Sequence, residues 1–166
     1  PYLLVFSLVH TGVMWYLVDF YHSWDKYAWY FTIYFLYVSG QTFFAQFLVA
    51  AMPTVESAQS VGTAFLSICS LLAGFAIAPD KIPFYFRPLY NVAALHYAFE
   101  GMIVTQFHDS HVRIRDLPGA PTNKRYLTSH WEHSHWGGEF CYSHRWYDII
   151  ALFAYMVVFR VGTIIC

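Results

Sequence analysis

SAQSVGTAFLSICSLLAGFAIA, residues 57–78, runs for 22 residues without a charged side chain. About 20 apolar residues suffice to cross a hydrocarbon core of ~30 Å. The stretch reads as a membrane helix, and the rest of the chain repeats the pattern. Apolar stretches of similar length lie at 1–18, 27–51 and 147–166. The first is followed by Asp19, and the second has no charge between Tyr27 and Ala51. Four such stretches predict an all-α membrane protein with four transmembrane helices. The remaining 68 residues, 79–146, form a polar, aromatic and His-rich segment before the last of them.

Composition agrees. The chain is 58% hydrophobic and 11% charged, where a soluble domain carries about 25% charge. A formal net charge of -1 gives no footprint for nucleic acid. The sequence begins at Pro1 and stops at Cys166, each inside an apolar run, which is the pattern expected of a piece of a longer chain. No signal-peptide pattern is visible. Cys69 and Cys166 fall in helices, so Cys141 is the one cysteine of the long segment. It cannot bridge within that segment; it is a free thiol or a link to another subunit.

Local signals mark the joints. Asp19, His22, Ser23, Asp25 and Lys26 separate the first two helices. Tyr27, Trp29 and Tyr30 fit an aromatic belt at headgroup level. Met52-Pro53-Thr54 breaks the second helix, and Thr54 or Ser57 is placed to cap the third, with Glu56 near its positive end. Short connections predict that the first three helices run up, down and up. After Pro79, the prolines at 83 and 88 forbid a continuous helix. Residues 89–107 are again apolar, but Asn91, His96, Glu100 and Gln106 make them too polar to span comfortably. A re-entrant or interfacial helical segment is expected there, because polar groups at depth need protein or water around them.

Three groups of residues are candidates for function. Ser60, Thr63, Ser67, Ser70 and Gly74 recur at steps of three and four, so they share one stripe of the third helix. Such a stripe either lets helices approach closely or lines a substrate path. Glu100 is the acid expected at membrane depth, a functional candidate by default, unless it sits wet at headgroup level. The histidines, His108, His111, His130, His133, His135 and His144, are a metal candidate by residue type only. Their spacing forms no clean helical pair, so no metal site is assigned. No phosphate loop and no nucleophile elbow occur, and no catalytic residue is assigned.

At this point the residues resemble a known family. Ala45-Gln46-Phe47-Leu48-Val49-Ala50-Ala51-Met52-Pro53-Thr54 is the first match. Leu71-Leu72-Ala73-Gly74-Phe75-Ala76, running on to Ile82-Pro83, is the second. Arg87-Pro88-Leu89-Tyr90-Asn91, His96 to Gly101, and Val104-Thr105-Gln106-Phe107-His108-Asp109 complete it. Together they resemble the G-subfamily (pleiotropic drug resistance type) ABC exporters, in the back half of an ABC-2 type transmembrane domain.

The resemblance implies that the four helices are the third to sixth of a six-helix unit, with Pro1 cytosolic and 79–146 external. It implies that Thr63, Ser67, Ser70 and Gly74 face a substrate cavity and that Phe75 and Ala76 form a hydrophobic gate. Ala76 makes one half of that gate small. It further implies ATP and Mg in a nucleotide-binding domain outside this stretch, which itself needs no cofactor. The implied partners are the rest of the polypeptide, the bilayer and amphipathic drugs or lipids, at the plasma membrane. The fragment would do no bond chemistry, and its parent would be an ATP-hydrolysing translocase. The family's paired loop cysteines are represented here by Cys141 alone. Readings from other classes are a histidine-box membrane oxygenase such as a desaturase, and a non-catalytic membrane scaffold.

Overall fold

A computed structural model describes residues 1–18, 23–72, 84–86, 93–107 and 144–165. Five α-helices account for nearly all of them: α1 Tyr2–Leu17, α2 Trp24–Ala51, α3 Val55–Leu72, α4 Ala94–Phe107 and α5 His144–Ile165, with a 3-10 turn at Phe84–Phe86. The all-helical class follows from the long apolar runs. A backbone in an apolar setting must satisfy its N–H and C=O groups within its own segment, and a helix does so.

The helix ends show local chemistry at work. α2 begins at Trp24, three residues before the apolar run, with Asp25 in its first turn where the helix dipole favours an acid. α3 begins at Val55, and Thr54 caps it: Ser57 N–H donates to Thr54 Oγ1 at 3.3 Å, and Ser57 Oγ donates to the Thr54 carbonyl at 2.8 Å. Of the two expected caps, the first is the one used.

Side-chain pairs fix the directions. His10 stacks on Tyr34 and Trp15 meets Tyr27 edge-on, so α1 and α2 are antiparallel. Phe44 packs on Phe65, and Leu48 closes on Gly62, so α2 and α3 are antiparallel too. This is the predicted reversal of the first three helices. Trp29 meets Trp146, Gly40 meets Tyr155 and Phe44 meets Phe159, which makes α5 parallel to α2. α4 packs against both and runs antiparallel to each: Gly101 comes close to Ile33 and Asp148, and Gln106 lies level with Lys26 near the start of α2.

The core is small because the interhelical gap is narrow. Ile33 and Leu152 are fully buried against Ala94 and Ala98. Ala94, Ala98 and Gly101 share one face of α4, and that face lets the backbone come close, as small residues do where helices pack without an aqueous driving force. Elsewhere the surface is apolar: Phe6, Val9, Leu71, Ile150, Phe153 and Val158 are all exposed.

Among the described residues two helices are long and apolar enough to cross a bilayer, Trp24–Ala51 and Trp146–Ile165. α1 is apolar but only 16 residues long. α3 has 18 described residues, and Glu56, Gln59 and its serines dilute the apolar run. Residues 73–78, which complete the predicted third span, lie outside the described residues, as do the segment between His108 and Ser143 and both Cys141 and Cys166.

Candidate functional site: the exposed face of α3 and the acid cluster at α4

α3 has two unlike faces. Ala58, Gly62, Phe65 and Cys69 recur at steps of four, three and four. Ala58 and Cys69 are buried, and Gly62 and Phe65 meet Leu48 and Phe44 of α2. Ser60, Thr63, Ser67 and Ser70 lie on the opposite side and are exposed. At 100° per residue the two sets are roughly 150° apart. Among the described residues, the hydroxyl stripe is therefore not the seam by which α3 packs on the other helices.

Three of its hydroxyls are satisfied locally. Ser60 Oγ donates to the Glu56 carbonyl at 3.0 Å, Thr63 Oγ1 to Gln59 at 2.8 Å and Ser67 Oγ to Thr63 at 2.8 Å. This back-bonding to the preceding turn removes the penalty of a bare hydroxyl in an apolar setting. It leaves a shallow surface with acceptor capacity. Ser70 borders a cavity of about 220 Å³ that reaches Gln41, Tyr155 and Leu95. Gln41 Oε1 is buried there without a hydrogen-bond partner among the described residues. The expected gate residues, Phe75 and Ala76, and the cavity residue Gly74 lie outside the described residues.

Glu100 is enclosed. Its side chain is 16% exposed, and Oε2 lies 3.5 Å from His96 Nε2, one turn earlier on α4. Burial pushes the Glu100 carboxyl up to about 7 and the His96 imidazole down to about 4. Both shifts favour neutral forms, so the two groups meet as an uncharged pair although their spacing is that of a long salt bridge.

Two further ionisable groups pack against α4, neither of them a candidate from sequence: Asp148 in the first turns of α5, close to Glu100 and Gly101, and Lys26 at the start of α2. Both are buried, Asp148 at 1% and Lys26 at 8% exposure. Lys26 Nζ donates to the Gln106 carbonyl at 3.5 Å. The signal that could have found Asp148 is its place in the apolar run 147–166, where an exposed acid has no reason to be. Among the described residues no three His, Cys, Asp or Glu side chains are grouped to hold a metal ion, and the loop histidines from His108 to His135 lie outside them.

A bundle of apolar helices with an enclosed acid cluster and little polar surface defines an integral membrane protein. Comparison with known proteins gives the class its name. The family model of ABC-2 type transporters matches residues 1–107, and the chain belongs to that family. It is 31% identical over 123 residues to ABC transporter G family member 53 of Oryza sativa subsp. japonica, covering 70% of this chain and 8% of that protein. It is 30% identical over 134 residues to ABC transporter G family member 36 of Arabidopsis thaliana, covering 79% and 9%. ABC transporter G family member 19 of Arabidopsis thaliana is 28% identical over 110 residues, covering 66% and 15%. The chain thus spans a small part of the length of these relatives. The family sets aside the histidine-box oxygenase.

Proposed function

We propose that this chain supplies cavity wall and gate to an ATP-driven exporter of amphipathic drugs or lipids, of the pleiotropic drug resistance type, at the plasma membrane. The observation that carries the reading is the outward-facing hydroxyl stripe of α3, in a chain of the ABC-2 type transporter family. Small-molecule sites are mostly apolar with a few placed polar groups, and Thr63, Ser67 and Ser70 on an apolar helix have that make-up. Nucleotide-binding domains elsewhere in the parent polypeptide supply ATP and Mg, and a second membrane half faces the stripe.

The position of α4 supports a re-entrant segment. Ala94 and Tyr155 border the same cavity, and Tyr155 meets Gly40, well inside α2. From there α4 returns toward the end where α2 and α5 begin. With all four apolar stretches across the bilayer, α4 is the returning limb of a segment that enters from the external side. Phe75 and Ala76 then close the cavity outward by dewetting, and Phe75→Ala leaves ATP hydrolysis running with weaker coupling to transport.

The test is ATP-dependent efflux of an amphipathic dye from cells expressing the intact parent protein. Ser67→Trp and Thr63→Trp place a ring in the path, so efflux falls or substrate range shifts while surface expression persists. Unchanged transport in both variants overturns the cavity reading.

A further inference from the structure

Asp148 is the most deeply enclosed acid among the described residues. It is 1% exposed, and its Oδ2 has no hydrogen-bond partner among them. This chain's own helices make the enclosure. The place a Cβ would take on Gly101 of α4 is filled by the Oδ2 and Cβ of Asp148 and by Ile33 of α2. Glu100 and Tyr97 of α4 interact electrostatically with Asp148, His96 lies against Glu100, Tyr147 precedes Asp148 on its own helix, and α2 buries Lys26 and Tyr30. Lys26 Nζ donates to the Gln106 carbonyl.

A carboxylate in such a place has lost water and gained no donor for one of its oxygens. Buried charges persist when they are paired and hydrogen-bonded, and otherwise the group neutralises. We infer that Asp148 is a buried proton-binding site that is filled while α4 is docked against α2 and α5. Docking takes up one proton from water to make the neutral carboxyl, and undocking exposes the acid and returns that proton. Movement of the α4 limb is thereby linked to proton concentration. The inference goes beyond the exporter reading and rests only on how α2, α4 and α5 pack.

The experiment uses the intact parent protein in lipid nanodiscs. Infrared spectroscopy at neutral pH reads the carbonyl band of protonated carboxyls. A component of that band is lost in Asp148→Asn and retained in Glu100→Gln. Amide exchange, referenced to α2 of the same sample, reads docking of 94–107. In the wild type its protection falls as pH is raised from neutral to alkaline, and in Asp148→Asn most of that fall is gone. An infrared band indifferent to Asp148→Asn overturns the proposal, as does an unaltered pH response in that variant. A wild type whose α4 protection does not respond to pH overturns it without any variant.

Discussion

Asp148 Oδ2 lies 3.1 Å and Ile33 Cδ1 lies 3.0 Å from the point a Cβ would occupy on Gly101. The missing side chain at 101 is what lets α4 settle against both α2 and α5 with an acid against its backbone. Packing, not backbone conformation, makes this glycine necessary.

Gly101→Ala is expected to be borne with a small loss, because the Ile33 methyl can yield a few tenths of an ångström. Gly101→Val adds branches on both sides of the seam. Overpacking of this kind costs about 1–3 kcal/mol, so the valine variant shows a lower thermal midpoint in detergent and less protein at the surface. Equal midpoints for the two variants would show that α4 is not wedged as described.

The two faces of α3 predict a contrast in stability. Phe65 packs on Phe44 and Cys69 is buried. Phe65→Ala removes the ring from the α2–α3 seam and costs about 1–3 kcal/mol, below the range of a fully buried Phe because this one is partly exposed. Ser67→Ala, on the exposed face, removes a hydroxyl that bonds only its own helix and changes the thermal midpoint little. Thermal melts of the purified parent protein compare the two, and a larger loss in Ser67→Ala would reverse the assignment of faces.

The helices were legible in the sequence because long uncharged runs leave few alternatives, and so was the reversal at Met52-Pro53-Thr54. The hydroxyl stripe of α3 was legible as a stripe but not as a direction. Spacing places Ser60, Thr63, Ser67 and Ser70 together, whereas their facing away from α2 depends on Phe65 and Gly62 finding Phe44 and Leu48, a tertiary fact. Glu100 was singled out as an acid in an apolar segment. Asp148 and Lys26 were missed for one reason: each stands near a helix start, where charge usually meets water, and only the docking of α4 buries them. Gly74, Phe75 and Ala76 rest on resemblance to the family alone.

Orientation is open to a direct check. The family reading puts the α2–α3 turn in the cytosol and residues 79–146 outside. A tag inserted at Thr54 is reached by antibody only after permeabilisation, and one between Pro118 and Lys124 is reached on intact cells. The Thr54 insertion also removes the α3 cap, a loss of about 1 kcal/mol, which the fold should survive. Both tags on one face of the membrane would remove the four-span reading.

The His96–Glu100 pair predicts a pH profile that single variants turn in opposite directions. Folded, Glu100 titrates at about 7 and His96 at about 4, each because burial disfavours its charge. Unfolded, they return to about 4.3 and 6.5. Glu100 alone therefore contributes stability that is complete below its unfolded value and is lost as pH rises through about 7. His96 alone contributes stability that is complete above its unfolded value and is lost as pH falls through about 4. Between the two unfolded values the folded pair holds its one proton on Glu100, and the unfolded pair holds one on His96. The proton counts match, so the pair adds almost no slope in that window. Measured in the Asp148→Asn background, to keep that acid out of the profile, the thermal midpoint is nearly flat across the mildly acidic range. Adding Glu100→Gln leaves His96 uncompensated, and the midpoint then drops as pH falls. Adding His96→Gln leaves Glu100 uncompensated, and the midpoint drops as pH rises. Slopes of the same sign in the two variants would mean that the pair is not enclosed and neutral.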